Sequence, residues 1–343
     1  MHLERHSRNR PYVRTLAALT TATVGLGLAG CGASGGAKGA SNAGASCSDK
    51  PATSVTIAYQ PGLGYAPLLV LKDQKTLEKK LPGVKVEWRE LNSGAAIRDG
   101  MVSGDIQVGS GGIGPFLVGV TSGIDEKVAT GLNDMSLWLM AKKPNIKTMK
   151  DLKGAGKIAM PGPDSIQAVV LAKAAQEKLG DATALNSQIV AMGHPDGVQA
   201  LLAGQLAAHL TSPPFQEQEQ AKGAHKIITS YEVFGEHTFN SVFTKTQFAA
   251  CNPKFMDALV GGVQSANQLL SNSPTKAAAI LAKEMGISPS EAKQQITAKD
   301  VKFTSTPKGF GTFAKFMHQI GLSKSVPKTQ DLFFKNSATK GAS

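Results

Sequence analysis

Five strand-to-helix turns carry the residues that can hold a ligand: QPGLGY (60–65), GSGGIGP (109–115), GLNDMS (131–136), PGPDSIQ (161–167) and TSPPF (211–215). In an open α/β sheet the carboxyl ends of the strands face a crevice, and helix starts there present unpaired N–H groups and a positive dipole end. Such turns suit a small anion without a buried Lys or Arg. Taken singly, each turn is ordinary connection chemistry; five at strand ends weigh more. The candidate ligand residues are the N–H groups of Ser110, Gly111 and Gly112 with the Ser110 hydroxyl, and Gln60, Gly64 and Asn133 from neighbouring strand ends. Asp164, Ser165 and Thr211 face them from the later turns, and Tyr65 and Phe215 are expected to cover an apolar tail. Asp164 is expected to cap the helix starting at Ser165. The constellations of catalysis are missing: no GxSxG, HExxH, Walker A, GxGxxG after a strand, or Cys/His cluster at metal spacing. His194 and His209, alone on apolar segments, read as hydrogen-bonded core or rim residues. No catalytic residue, metal or cofactor is expected.

The elements that position these turns alternate. Strands are expected at VTIAYQ (55–60), KVEWREL (85–91), DIQVGSGG (105–112) and KVATGLN (127–133), then again at GKIAMPG, SQIVAMG, AAHLTSP and HKIITSY. Helical segments such as AAIRDGMVSG and SIQAVVLAKAAQEKLG separate them. This is βαβ patterning, repeated twice, with sheets expected to be largely parallel. Beyond about residue 245 the chain turns helical, with Phe255, Leu259, Val263 and Leu270 at helical spacing. The 343 residues suffice for two lobes. The formal charge of +12 falls to +9 without residues 1–30, which hold four Arg and one Glu. Its lysines are scattered, with no basic run interleaved with aromatics, so nucleic acid is not an expected partner.

The N-terminus reads as a secretory signal: basic MHLERHSRNRPYVR, then the uncharged TLAALTTATVGLGLAG. Leu28-Ala29-Gly30-Cys31 resembles the lipobox of bacterial lipoproteins, which implies a diacylglyceryl thioether on Cys31 and a lipid anchor in a membrane of the cell envelope. Residues 32–46, GASGGAKGASNAGAS, read as a flexible tether. With Cys31 lipidated, Cys47 and Cys251 remain as an even pair in an oxidising compartment.

The order "DIQVGSGGIGPFLVG", "IKTMKDLKGAGKIAMPGPDSIQ", "HPDGVQALLAGQLAAHLTSPPFQEQE" resembles the substrate-binding proteins of nitrate, aliphatic-sulfonate and taurine ABC importers, over roughly residues 53–270. The resemblance implies an α/β, two-lobed type II periplasmic-binding-protein fold with a two-stranded hinge. It also implies a monomer that carries a small anionic solute to a membrane permease with a separate ATPase. The expected organisation is signal peptide 1–30, tether 31–49, lobe 1 from 50–138 and 244–343, and lobe 2 from 139–243, with residues 138–143 and 239–244 as hinge strands. Within that topology Cys47, before the first strand, and Cys251, after the returning hinge strand, both fall at the end of lobe 1 away from the cleft, and a disulfide is expected. The alternative is an enzyme on the same fold, a pyrimidine synthase or a dehydratase acting on a small metabolite. The sequence departs from the family at Ala207-Ala208-His209, where an Asp-Ala pair is more usual.

Overall fold

The computed structural model describes Cys47 and residues 50–343. The signal segment, Cys31 and the rest of the tether lie outside the described residues.

The first half of the chain opens with β1 (Ser54–Tyr59), α1 (Ala66–Gln74), α2 (Thr76–Lys80), β2 (Lys85–Glu90), α3 (Gly94–Ser103), β3 (Val108–Gly112), α4 (Ile113–Thr121) and β4 (Glu126–Met135). A second set follows: β5 (Trp138–Ala141), β6 (Ile158–Met160), α5 (Ile166–Leu179), β7 (Ile189–Ala191), α6 (His194–Leu202), β8 (Ala208–Thr211), α7 (Phe215–Ala221) and β9 (His225–Thr229). After α8 (Ser230–Phe234), β10 (Thr238–Lys245) returns, followed by α9 (Thr246–Cys251), α10 (Pro253–Asn272), α11 (Pro274–Met285), α12 (Pro289–Ile296), β11 (Val301–Lys302) and α13 (Phe310–Gln319). Two sheets result, ordered β11-β4-β10-β3-β1-β2 and β7-β6-β8-β5-β9.

Both sheets are mixed rather than largely parallel. In the first, β1 runs parallel to β2 and β3, while β10 is antiparallel to β3 and β4. In the second, β6 runs parallel to β7 and β8, while β5 is antiparallel to β8 and β9. The reason is topological. A strand that begins a βα unit ends at the cleft, whereas β5 and β10 enter their sheets from the other lobe and must run the opposite way.

The chain changes sheet at residues 136–137 and again at 230–237, which corrects the expected hinge. Residues 138–141 pair within the second sheet, and residues 239–244 are a central strand of the first, buried between β3 and β4. Trp138 therefore belongs to lobe 2 and residues 238–243 to lobe 1. The second crossing contains a helix, so the links are not two strands. The crossings hold each other: Ser230 N–H donates to the Leu137 carbonyl at 2.8 Å, and Leu137 N–H donates to Ser230 Oγ at 3.0 Å. Phe234, in the second crossing, stacks on Phe313 of α13 with centroids 4.0 Å apart. The periodicity of α10 buries Phe255, Leu259, Val263 and Leu270 against lobe 1, where Phe116 of α4 meets Phe243 of β10 and Phe310 of α13 at 5.3 and 5.9 Å.

Cys47 and Cys251 are joined, with Cα atoms 4.6 Å apart. Nearby, Ala52 N–H donates to Asn252 Oδ1 at 2.8 Å, so the start of the described chain is pinned to the head of α10. The bridge closes a sequence separation of 204 residues. A disulfide typically stabilises by about 2–4 kcal/mol, mainly by restricting the unfolded chain. The Cys47→Ser, Cys251→Ser double variant is expected to lose about that much in urea unfolding. Two free thiols in the unreduced native protein, read by alkylation, are the contrary result.

Candidate functional site

Between the lobes lies a narrow cavity, partly open to solvent, with about 20 Å³ of room for the centres of water-sized molecules. The first lobe contributes Gln60 and Pro61 from the turn after β1, Tyr65, Gly94, Gly112 and Pro115 from the start of α4, and Phe239 and Asn240 from β10. The second contributes Pro161, Ser165, Ile166 and Gln167 around the start of α5, His194 at the start of α6, and Ser212 after β8. Strand ends and helix starts thus converge from both sides. Helix α4 begins after Gly112 and α6 after Gly193, both without a side-chain cap, while Ser165 caps α5 by accepting from Ala168 N–H at 3.2 Å.

The lining is polar but formally uncharged. Gln60 Nε2 donates to the Tyr65 hydroxyl at 2.7 Å, which donates to Asn240 Oδ1 at 3.3 Å. Burial holds the Tyr65 hydroxyl far above its ordinary range, so it stays a neutral donor. Asn240 Nδ2 is buried without a partner. His194 is held below the ordinary imidazole range, first by burial and then by His209. No Lys, Arg, Asp or Glu is among the lining residues described.

Of the residues expected from sequence, Gln60, Tyr65, Gly112 and Ser165 line the cavity and the others do not. Ser110 is fully buried and its Oγ donates to the Ala58 carbonyl at 2.7 Å, because β3 pairs with β1 and the side chain meets the neighbouring strand before the crevice. Gly111 is the next residue of that strand, where a Cβ would lie 3.5 Å from Gln60 Nε2. Asn133 spends its Nδ2 on the Gly64 carbonyl, and Gly64 itself is packed against Asn240 and Phe239. Thr211 and Phe215 sit behind the wall on His194, at 3.3 Å from its Nδ1 and 5.4 Å between ring centroids. Asp164 neither caps α5 nor lines the cavity. It accepts from Arg98 Nη1 of α3 at 2.6 Å, an ion pair that ties the lobes together.

The lobes also touch through backbone. Leu63 N–H donates to the Pro213 carbonyl at 3.1 Å. A Cβ on Gly114 would lie 2.6 Å from the Asp164 carbonyl oxygen and 2.9 Å from Ile166 N. The cleft is therefore closed, and glycine at 114 is what lets α4 reach the head of α5.

The polar lining residues that the sequence did not assign to the site are Gln167, Ser212 and Asn240, and His194, which read as a core or rim histidine. Gln167 and Ser212 fall inside the quoted turns, and His194 opens a helix after the AMGHPD turn, so the same strand-end rule reaches all three. Asn240 had no local signal, since it enters the cleft on the returning strand.

The profile of the NMT1-like family matches residues 48–286. The chain belongs to the NMT1-like family. A protein of Escherichia coli K12 whose name assigns it aliphatic sulfonates is 25% identical to this NMT1-like chain over 236 residues, 67% of this chain and 71% of that protein. The alkanesulfonate-binding protein of Xanthomonas axonopodis pv. citri, solved with MOPS bound, shares the fold at 20% identity and a TM-score of 0.67, covering 82% of this chain and 96% of that one. The periplasmic nitrate-binding protein of Synechocystis PCC 6803 also has a TM-score of 0.67, at 17% identity, covering 83% and 85%. The NMT1-like chain thus has the two-sheet α/β architecture of periplasmic binding proteins.

Proposed function

We propose that this chain is the substrate-binding component of an ABC importer and captures a small oxyanion, sulfonate-like by preference. The observation that carries this reading is the closed interlobe cavity itself, lined by neutral donors and by the starts of α4 and α6. Amide and hydroxyl donors aimed into a cleft hold an anion without a formal cation. The Asp164 carboxylate, in the turn before α5, is paired with Arg98 and so does not repel it. Named relatives that bind alkanesulfonates and nitrate support the class, and the relatives are binding proteins rather than enzymes. Capture needs only lobe closure, which presents a single shape to the permease.

Because the lining described includes no carboxylate to meet an ammonium group, a plain alkanesulfonate is expected to bind more tightly than taurine. Isothermal titration with ethanesulfonate, taurine and nitrate tests this, and binding confined to neutral or cationic compounds overturns the anion reading. The anchor is a separate part of the proposal. Cys31→Ser is expected to move the protein from the membrane fraction to the soluble one, and a Cys31→Ser protein that stays fully membrane-bound refutes the lipid anchor.

A further inference from the structure

Behind His194 runs a buried line of ring nitrogens that ligand capture by itself does not require. His194 Nδ1 is 3.1 Å from His209 Nε2, and His209 Nδ1 is 2.6 Å from Glu219 Oε1 on α7. His209 and Glu219 are both completely buried. At the other end, His194 Nε2 reaches the cavity wall and lies 3.2 Å from Gln167 Nε2. Space for the relay is made by a glycine: a Cβ on Gly197 of α6 would lie 2.6 Å from the His209 ring.

We propose that Glu219 sets the hydrogen-bonding polarity of His194 at the cavity wall, so that one proton on a carboxyl remote from the ligand decides whether the cleft offers a donor or an acceptor there. With Glu219 protonated, its O–H donates to His209 Nδ1. The His209 ring then carries its hydrogen on Nε2 and donates to His194 Nδ1, which leaves His194 with its hydrogen on Nε2, facing the cavity. Each neutral imidazole has one donor and one acceptor, so the polarity passes from ring to ring, and the Thr211 hydroxyl, 3.3 Å from His194 Nδ1, serves either state by donating or accepting. Ionisation reverses it. The His194 Nε2 proton passes to a base in solution, the His209 Nε2 proton moves to His194 Nδ1, and the Glu219 proton moves to His209 Nδ1. The products are an ionised Glu219, two neutral rings with hydrogen on Nδ1, and a lone pair at the cavity. The Gln167 amide serves either state by turning its oxygen or its nitrogen to the ring.

Burial favours the donor state near neutrality, since it raises the Glu219 carboxyl and lowers His209. Other charged groups on the packed elements are placed elsewhere. Glu217 on α7 is the exception: it takes a bond from Gln216, and the charges of Asp300 and of Glu219 itself both disfavour its ionisation, so the two α7 carboxyls oppose each other's ionisation. Asp196 on α6 and Lys226 on β9 are exposed, and His225 on β9 is held by the Ile146 carbonyl. The consequence for the ligand rests on the anion reading: in the donor state the Gln167 oxygen takes the His194 Nε2–H and leaves amide N–H groups for an oxyanion, whereas in the other state the amide donates to the ring and leaves its oxygen, which repels one. The tautomer switch does not rest on it.

Nitrogen-15 NMR of histidine-labelled full chain tests the relay without any ligand. His194 and His209 are expected as Nε2–H tautomers near pH 7 and to convert together to Nδ1–H in one transition on titration towards about pH 10. In Glu219→Gln the carboxamide has no proton to lose and can turn either its nitrogen or its oxygen to His209, so whichever tautomer the two rings adopt is expected to persist throughout the titration. Across the wild-type transition, affinity for ethanesulfonate, an anion that does not itself titrate here, is expected to fall about tenfold or more, and to change by less than about threefold in Glu219→Gln. An Nδ1–H tautomer on His194 near pH 7, or a Glu219→Gln protein that converts as the wild type does, overturns the proposal. The wild-type tautomers decide it alone if that variant does not fold. Should the tautomers behave as stated while ethanesulfonate fails to bind near pH 7, the relay stands and the anion reading falls.

Discussion

Gly114→Ala is expected to prop the cleft open and to weaken ligand binding about a hundredfold or more while leaving each lobe folded. The added methyl would sit 2.6 Å from the Asp164 carbonyl oxygen and 3.0 Å from the Ser165 carbonyl carbon, and neither can swing aside as a side chain would because both are backbone. Relief comes only by withdrawing α4 from the head of α5, which separates the lobes. A ligand held by both lobes then loses the contacts of one, and binding falls by the stability of the closed state. The lobe itself does not suffer. Gly114 lies within α4, where Ala is ordinarily the better helix former by roughly 0.5–1 kcal/mol. Titration calorimetry gives the affinity, small-angle scattering the open shape, and circular dichroism the intact fold. Wild-type affinity in Gly114→Ala would show that closure does not need this contact. Arg98→Gln is the milder companion. It removes the 2.6 Å ion pair to Asp164 and, at about 1.5–3 kcal/mol for a charge-assisted bond, lowers affinity about ten- to a hundredfold without a steric block.

The second large effect lies away from the cleft. Glu126, at the start of β4, is 4% exposed and neither carboxyl oxygen has a partner. Gly119 of α4 makes the space, since a Cβ there would fall 2.5 Å from Oε1. Burial raises the carboxyl to about 8, with Arg98 and Lys245 pulling the other way from a distance. Below about pH 4.5 folded and unfolded chains both hold the proton, and the group adds no pH-dependent cost. As pH rises towards 8 the unfolded chain releases a proton that the folded chain keeps, so stability falls with pH until the folded group ionises too. At about 1.36 kcal/mol per pH unit, the loss is on the order of 3 kcal/mol near pH 7. Glu126→Gln, as neutral as the protonated acid and of the same shape, is expected to match the wild type near pH 4 and to exceed it by about that amount near pH 7–8 in denaturant unfolding. A pH-independent difference between the two would mean that Glu126 is not the titrating group.

The order of strands and helices was legible in the chain because each segment advertises itself locally. Alternating apolar residues in VTIAYQ, the periodic face of SIQAVVLAKAAQEKL and the Gly/Pro turns between them need no distant partner to be read. The same locality placed the cavity at the turns after β1, β3, β6 and β8, since a βα unit always delivers its turn to one edge of the sheet. Tertiary structure alone decided which side chains face the ligand. Ser110 stands in the most suggestive turn of all, yet its hydroxyl is consumed by Ala58 because β1 lies alongside β3, a pairing that no local pattern around residue 110 states. Asp164 finds Arg98 only when the lobes close, 66 residues apart in sequence. Asn240 reaches the cavity because β10 returns antiparallel between β3 and β4, and His194, His209 and Glu219 become one line only where α6, β8 and α7 pack together. Periodicity and turn chemistry act over a few residues, whereas hydrogen-bond partners across lobes and strands are set by how those segments are stacked.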